Sequence, residues 1–310
     1  MPSSPSARPP HLVTGLLLAG AGSVAFSGKA IIVKLAYRYG VDAVTLIMYR
    51  MLFALPLFLA LAWWATYRRG AQAALTRQDW LGVLGLGFTG YYLASFLDFW
   101  GLQYISASLE RLILYLNPTL VLVLGWAFYR RRISPLQALA MAVSYAGVLL
   151  VFGHEADFAG PNAVLGAALV FGSAVSYAVY LVYSGELVKR LGSMRLVGLA
   201  TSVACVLCLL QFVLLRPLSA ATTVAPEVIG LSLLNATLCT FAPVIMVMMA
   251  IERVGAGLAA QTGMIGPMST IALGVLLLDE PFNAWIVAGT VLVVSGVFLV
   301  TRAGTAGTGK

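Results

Sequence analysis

Residues 106–125, SASLERLILYLNPTLVLVLG, align without a gap on residues 255–274, GAGLAAQTGMIGPMSTIALG, when the chain is shifted by 149 positions. Ala107 meets Ala256, Leu109 meets Leu258, Pro118 meets Pro267 and Gly125 meets Gly274. Farther along, YAGVLLV at 145–151 meets VSGVFLV at 294–300. Few positions are identical, but the small residues and the prolines fall together. That pattern marks an internal duplication, and the period must be settled before any local feature is interpreted.

The composition says what kind of unit is duplicated. The chain has 310 residues, of which 61% are hydrophobic and 10% charged. A soluble domain is about half apolar and a quarter charged. A chain this apolar cannot cover a water-facing surface with polar groups, so it reads as an integral membrane protein. The net charge of +8 does not indicate nucleic acid, because the basic residues sit in short clusters between apolar runs. Cys205, Cys208 and Cys239 all lie within apolar segments and read as small packing residues. The apolar run after the polar start MPSSPSARPPH is too long for a signal-peptide core and reads as a first span.

Crossing the hydrocarbon core takes about 20 mostly apolar residues. Ten segments qualify: about 12–37, 42–64, 79–103, 107–128, 134–152, 162–184, 194–215, 226–250, 256–277 and 282–301. The expected fold is an all-α membrane protein with ten transmembrane helices in two inverted five-helix repeats. Residues 12–152 and 162–302 form the repeats, flanked by cytoplasmic tails at 1–11 and 303–310. Five spans per half is an odd number, which turns the second half upside down relative to the first. Of 19 lysines and arginines, placing the N-terminus inside puts 13 on the inner side and only Arg38 and Arg216 outside. Both termini are therefore expected in the cytoplasm of an inner or plasma membrane.

With these features the chain resembles the ten-span, EamA-type transporters of the drug/metabolite transporter superfamily. The resemblance rests on the two five-span halves, on Pro118 and Pro267 midway along spans four and nine, and on the glycine-bearing last spans AMAVSYAGVLLVFG and VAGTVLVVSGVFLV. The acidic turn LLLDEPFNAW (276–285) fits as well, whereas the first half departs from it with the basic YRRRISP (129–135). The resemblance implies secondary transport, by efflux or exchange, of a small metabolite such as an amino acid, through a central cavity between the halves. A non-transporting receptor or scaffold, or a membrane-embedded enzyme, is the alternative. The chain lacks HExxH, GxSxG and Walker A patterns, so no catalytic residue, metal or cofactor is expected. The expected partners are a small-molecule substrate and the lipid bilayer, with no nucleic acid. A coupling proton and a homodimer are left open.

Candidate site residues come from polar groups inside the spans. Lys29, Lys34, Arg50, Asp98, Glu110 and Arg111 are all in the first half, and Ala259 and Ala260 stand where Glu110 and Arg111 would repeat. Each such charge costs about 2.5–3.5 kcal/mol at mid-membrane, so the charges must meet one another or water. Two readings stand side by side. Asp98 and Glu110 pair with Lys29 and Arg111 to lock helices, while Lys34 snorkels. Alternatively, some of them line a cavity, where Arg50, the least obviously paired, holds an anionic group of the substrate and Glu110 or Asp98 carries a proton. Helical spacing adds Tyr91 with Asp98 on span three, Tyr115 with Arg111 on span four, Tyr177 and Tyr180 on span six, and Gln261 on span nine. Pro118 deprives the Leu114 carbonyl of its helical donor, and Asn117 is placed to satisfy it. Pro267 makes the matching break, and paired breaks in the two halves point to a central site. GLGFTG at 85–90 spells a dinucleotide motif, but inside an apolar span its glycines serve close helix contact.

Overall fold

The repeated apolar runs fold as helices, and among the described residues there is no strand. The structure is a computed structural model that describes residues 10–68, 75–130, 133–156 and 162–307. The first half comprises α1 (Pro10–Tyr37), α2 (Ala43–Arg68), α3 (Arg77–Gly87), α4 (Ala94–Gly101), α5 (Ala107–Leu114), α6 (Asn117–Tyr129) and α7 (Pro135–Ala156). The second comprises α8 (Ala163–Leu191), α9 (Ser193–Leu215), the short α10 (Ser219–Thr222), α11 (Pro226–Ala236), α12 (Ala242–Gly263), α13 (Ile265–Leu278) and α14 (Ala284–Gly307). A π-helical segment, Phe88–Leu93, joins α3 to α4, and another, Thr237–Phe241, joins α11 to α12.

Polar residues at the ends of the runs set the boundaries. Thr76 and Asp79 form a reciprocal capping box at the start of α3, which satisfies two of the free N–H groups there. Ser106 caps α5 by accepting from Leu109 N at 3.0 Å, and Pro226 opens α11, where its missing N–H costs nothing. Inside α12, Gly255 has φ 79° and ψ 161°, a left-handed turn that glycine makes without strain. The chain reverses there, so α12 combines the end of the expected eighth span with the start of the ninth.

The backbone repeats with the period seen in the sequence. The π segments begin at Phe88 and Thr237, and the left-handed helix ends fall at Arg130 and Asp279, 149 residues apart in both cases. Packing follows the same rule: α2 lies along α9, α7 along α14, α1 along α12, and α4 along α8. In the α7–α14 pair, a Cβ on Gly147 would come 2.6 Å from the Gly289 carbonyl, and a Cβ on Gly296 2.5 Å from the Ala140 carbonyl. Residues 147 and 296, and 140 and 289, are again 149 apart, so the two contacts are the same contact made twice. GLGFTG behaves likewise: a Cβ on Gly87 would meet the Ala200 carbonyl at 2.6 Å, and Gly90 lies against the Tyr180 ring.

Among the described residues, eight helices are long and apolar enough to cross a membrane, and Ile265–Leu278 and Ala284–Val300 are shorter apolar helices. The expected ninth span is divided at Met264, and its part Ile265–Leu278 is one of the shorter helices. The last helix runs on to Gly307, past the expected end at 301 and into the segment read as a tail. This makes the chain a multi-pass membrane protein by the length and composition of its helices.

Candidate functional site

The two divided helices lie at the middle of the bundle. α5 ends at Leu114, and α6 restarts at Asn117 with Pro118 in its first turn. The break therefore falls at Tyr115 and Leu116, just before the proline expected to mark it, because proline is well tolerated at the start of a helix. Asn117 Nδ2 donates to the Leu114 carbonyl at 2.7 Å, the acceptor that Pro118 leaves free. In the matching break, Pro267 leaves the Gly263 carbonyl free. Tyr115 Oη donates to it at 2.7 Å and Ser23 Oγ at 2.8 Å. Ser27 Oγ donates to the Gly266 carbonyl at 2.8 Å. Each break is satisfied by side chains, as a broken helix inside a membrane protein requires, and Tyr115 ties one break to the other.

Three of the expected charges form a closed cluster. Lys29 Nζ is 2.5 Å from Asp98 Oδ2 and 3.1 Å from Glu110 Oε1, and the Glu110 side chain is wholly buried. Two carboxylates thus share one ammonium. Asp98 Oδ1 and Glu110 Oε2 have no hydrogen-bond partner among the described residues. The expected pairing of one carboxylate with Arg111 is not formed.

The two guanidinium groups part company. Arg50, the residue expected to meet substrate, donates from Nε to Thr240 Oγ1 at 3.1 Å and stacks 5.0 Å from the Phe99 ring. It does not reach the cavity lining. Thr240 lies in the second π segment and itself donates to the Asn235 carbonyl at 2.8 Å. Arg111 takes the position expected of Arg50. It is 5.4 Å from the Phe26 ring and 5.9 Å from the Tyr115 ring, and its Nη2 is 3.4 Å from Ser27 Oγ. No carboxylate lies in ion-pair contact with it among the described residues, and its Nε has no partner. Close approach to the α13 backbone makes room for it, since a Cβ on Gly266 would come 2.6 Å from Arg111 Nη2.

Arg111 faces a cavity of about 540 Å³ between the halves. One wall is aromatic: Tyr91, Tyr177 and Tyr180 line it with Phe26. Tyr177 and Tyr180 stack at 5.4 Å, and Tyr91 meets Tyr180 edge-on, with their hydroxyls 3.2 Å apart. The opposite wall is aliphatic, from Val244, Val247 and Ile251 on α12 and Val197 on α9. Lys29, Asp98, Glu110, Tyr115 and Asn117 are not in the lining but stand behind it, and the Gln261 side chain lies outside the described residues.

Sequence reasoning missed Ser23, Phe26 and Gly263. Ala19, Ser23 and Phe26 follow at i, i+4 and i+7 on one face of α1, a helical stripe that the absence of charge concealed. Lys34, at the end of the bundle, donates to the carbonyls of Leu102 and Ile105 at 3.3 and 2.9 Å.

At the end of the bundle near Lys34, carboxylates cap the start of α5. Glu280 Oε1 accepts from Ala107 N at 2.7 Å, and its Oε2 accepts from Ser108 Oγ at 2.6 Å and from Ser108 N at 3.2 Å. Glu155 accepts from Ser106. A carboxylate at a helix N-terminus meets free N–H groups and the positive end of the helix dipole.

The sequence pattern of the EamA-like transporter family matches residues 13–153 and again 164–302. An uncharacterized transporter, YcbK, of Bacillus subtilis (strain 168) is 32% identical over 285 residues, covering 90% of this chain and 88% of its own length. An uncharacterized transporter of Archaeoglobus fulgidus is 24% identical over 292 residues, covering 94% of this chain and 96% of its own. One protein crystal structure superposes with a TM-score of 0.64 over 95% of this chain and 98% of its own, at 19% identity, a likeness of fold.

Proposed function

We propose, for a chain that belongs to the EamA-like transporter family, that it is a secondary transporter moving a small metabolite with an anionic group by alternating access. The observation that carries this reading is Arg111. It is a guanidinium without a carboxylate partner among the described residues, held at a helix break and turned into a cavity between the two halves. A planar guanidinium with free donors is suited to bind a carboxylate or phosphate in two-point fashion. The breaks at Tyr115 and Met264 supply non-helical backbone at membrane depth, as in many secondary transporters.

The backbone recurrences at 149 residues support ten spans in two inverted halves, with α5–α6 and α12–α13 as the fourth and ninth. The excess of Lys and Arg on one side supports cytoplasmic termini in an inner or plasma membrane. In this reading the cavity opens toward the cytoplasm. Ser184 near the end of α8, Val197 near the start of α9 and Ala259 past the Gly255 turn all line it. The opposite, outer end is closed by Glu280 and Glu155 on α5. Alternating access then requires the α5 cap to open as the inner end closes.

The test is exchange in liposomes containing the purified protein and loaded with labelled organic anions, compared with Arg111→Gln. The expected result is protein-dependent exchange of at least one anion, lost in a folded Arg111→Gln protein. Undiminished anion exchange by that variant, or exchange confined to cations, would remove the reading.

A further inference from the structure

The cavity offers a cation to a carboxylate and, among the described residues, no carboxylate to an ammonium, and from this the geometry points to a substrate class. It is a monoanion with an aromatic or bulky apolar body and no amino group, rather than a free amino acid. The inference rests on the reading of Arg111 above and narrows it.

An α-amino acid carries two opposite charges one carbon apart. A site that holds its carboxylate at Arg111 must also receive the ammonium a few ångströms away. Among the described residues the lining contains one cation, Arg111, and no carboxylate. The backbone carbonyls near Arg111 are already engaged. The Gly263 carbonyl accepts from both Ser23 Oγ and Tyr115 Oη, which occupies both of its lone pairs. The Gly266 carbonyl accepts from Ser27 Oγ and, at 3.2 Å, from Thr270 Oγ1. The nearest carboxylates, Asp98 and Glu110, are turned to Lys29 and lie behind the lining. An ammonium here would meet a guanidinium of like charge and give up water for tyrosine hydroxyls and ring faces with no described carboxylate beside them, which a poorly hydrated site penalises.

The body of the ligand follows from the rest of the wall. Tyr177 and Tyr180 are stacked and Phe26 lies beside Arg111, so a flat ring has faces to stack against. Val244, Val247 and Ile251 close the other side without polar groups to receive hydroxyls or a second charge. A dicarboxylate or a sugar phosphate would leave polar atoms unpaired against those residues. A space of about 540 Å³ lies in the usual range for sites that enclose a small organic ligand.

The probes are 3-phenylpropionate, L-phenylalanine, phenethylamine and acetate. The first three share a phenylethyl body and differ in the charged groups it carries, and acetate has the carboxylate without the ring. Binding to the purified full chain is followed by ligand-induced thermal stabilisation across a concentration series. The expected order is phenylpropionate tightest, with phenylalanine and acetate each at least about tenfold weaker, a factor worth about 1.4 kcal/mol, and phenethylamine without effect. Arg111→Gln should weaken phenylpropionate at least about tenfold, and Tyr180→Leu should weaken it while leaving acetate unchanged. Wild-type ranking alone tests the idea should either variant fail to fold. Phenylalanine binding as well as phenylpropionate overturns the inference and leaves the carboxylate reading standing. Phenethylamine binding best overturns both. Acetate matching phenylpropionate, or none of the four binding, overturns the inference. Counterflow of labelled phenylpropionate into protein liposomes, against protein-free ones, separates binding from transport: binding without counterflow keeps the ligand class and removes the transport reading.

Discussion

Lys29 is expected to be the most costly of the buried charges to remove. Its ammonium is the cation that Asp98 and Glu110 share, at 2.5 and 3.1 Å, and neither carboxylate has another ion-pair partner among the described residues. Lys29→Met therefore strands two buried anions 69 and 81 residues away in sequence, on α4 and α5, and unties α1 from both. Breaking a buried ion pair by deleting one partner costs about 3–5 kcal/mol, and the doubled carboxylate places this case at the upper end. Asp98→Asn leaves Lys29 with Glu110 and should cost about 1–3 kcal/mol, the range for losing a hydrogen bond to a charged group. Glu110→Gln should cost least, because it removes one of two like charges and leaves the shorter Lys29–Asp98 contact intact. The triple change Lys29→Met, Asp98→Asn, Glu110→Gln should recover to within about 2 kcal/mol of wild type, since replacing a whole buried charge cluster by neutral groups is often close to neutral. Reversible unfolding by SDS titration in mixed micelles gives the four values. A Lys29→Met loss below about 1 kcal/mol, or an equal loss in Glu110→Gln, would refute the reasoning that the lysine holds the cluster together.

Gly296→Ala should destabilise by about 1–3 kcal/mol, because its Cβ would come 2.5 Å from the Ala140 carbonyl, whereas Gly85→Ala, with nothing within 4 Å, should be neutral or gain about 0.5–1 kcal/mol. Equal effects in the same titration would remove the close-approach account of the α7–α14 pair. Asn117→Ala should cost about 1–3 kcal/mol by leaving the Leu114 carbonyl unpaired, and an unchanged unfolding midpoint would mean that another group satisfies it. Outside the spans, Asp42 caps α2 through Thr45 and meets Arg216 at 3.1 Å. Burial raises its carboxyl, but the Thr45 and Arg216 hydrogen bonds and the Arg216 charge outweigh that and hold it below its ordinary value. A depressed folded value gives stability above the unfolded one that is lost as pH falls through the folded one. Arg216→Gln should therefore shift acid unfolding to slightly higher pH, and an unmoved acid limb would show that Thr45 alone accounts for the effect.

The sequence shows the fold most clearly where the duplication is strongest. Pro118 and Pro267, Gly147 and Gly296, and the turn residues Arg130 and Asp279 all recur at the same spacing, and each recurs in the backbone. The glycines and prolines constrain the chain through absent side chains or absent N–H groups, which are visible in one dimension, whereas Arg130 and Asp279 are unlike residues and recur only in the backbone. The π segments were not legible, because FTGYYL and TLCTF share no residue type that demands an extra backbone atom per turn. The candidate site was half legible. That charges converge follows from their cost in lipid, and Lys29, Asp98 and Glu110 do meet, but without the Arg111 that the pairing reading included. Which cation faces the cavity does not follow, since Arg50 and Arg111 differ only in rotation about their helices relative to neighbours that the sequence does not place. Arg50 turns to Thr240, 190 residues away, and a hydroxyl in an apolar run gives no sign of that partnership. Phe26 and Ser23 were hidden for the opposite reason: an uncharged helix face reads as packing until a guanidinium is found against it.

The halves are alike in backbone and unlike in charge, and the site depends on that difference. Broken helices repeat in both halves, and the second half's break lines the cavity at Gly263 while the first half's stands behind the lining. Lys29, Arg50, Asp98, Glu110 and Arg111 belong to the first half alone, and Ala259, at the place of Glu110, lies in the cavity lining. Among the charged contacts that the second half makes to the first is Glu280 on the start of α5. That contact joins the helix that carries Glu110 and Arg111 to the end of α13, while Tyr115 at the other end of the same helix bonds the Gly263 carbonyl. α5 is thus held to the second half at both ends, by a carboxylate at its N-terminus and a tyrosine at its break, with Arg111 between them. In the alternating-access reading these two attachments cannot both persist, because a rotation of one half against the other displaces the two ends of α5 by different amounts. The guanidinium sits between the attachment that must release and the one that stays, so a ligand that binds Arg111 bears directly on which of the two is kept.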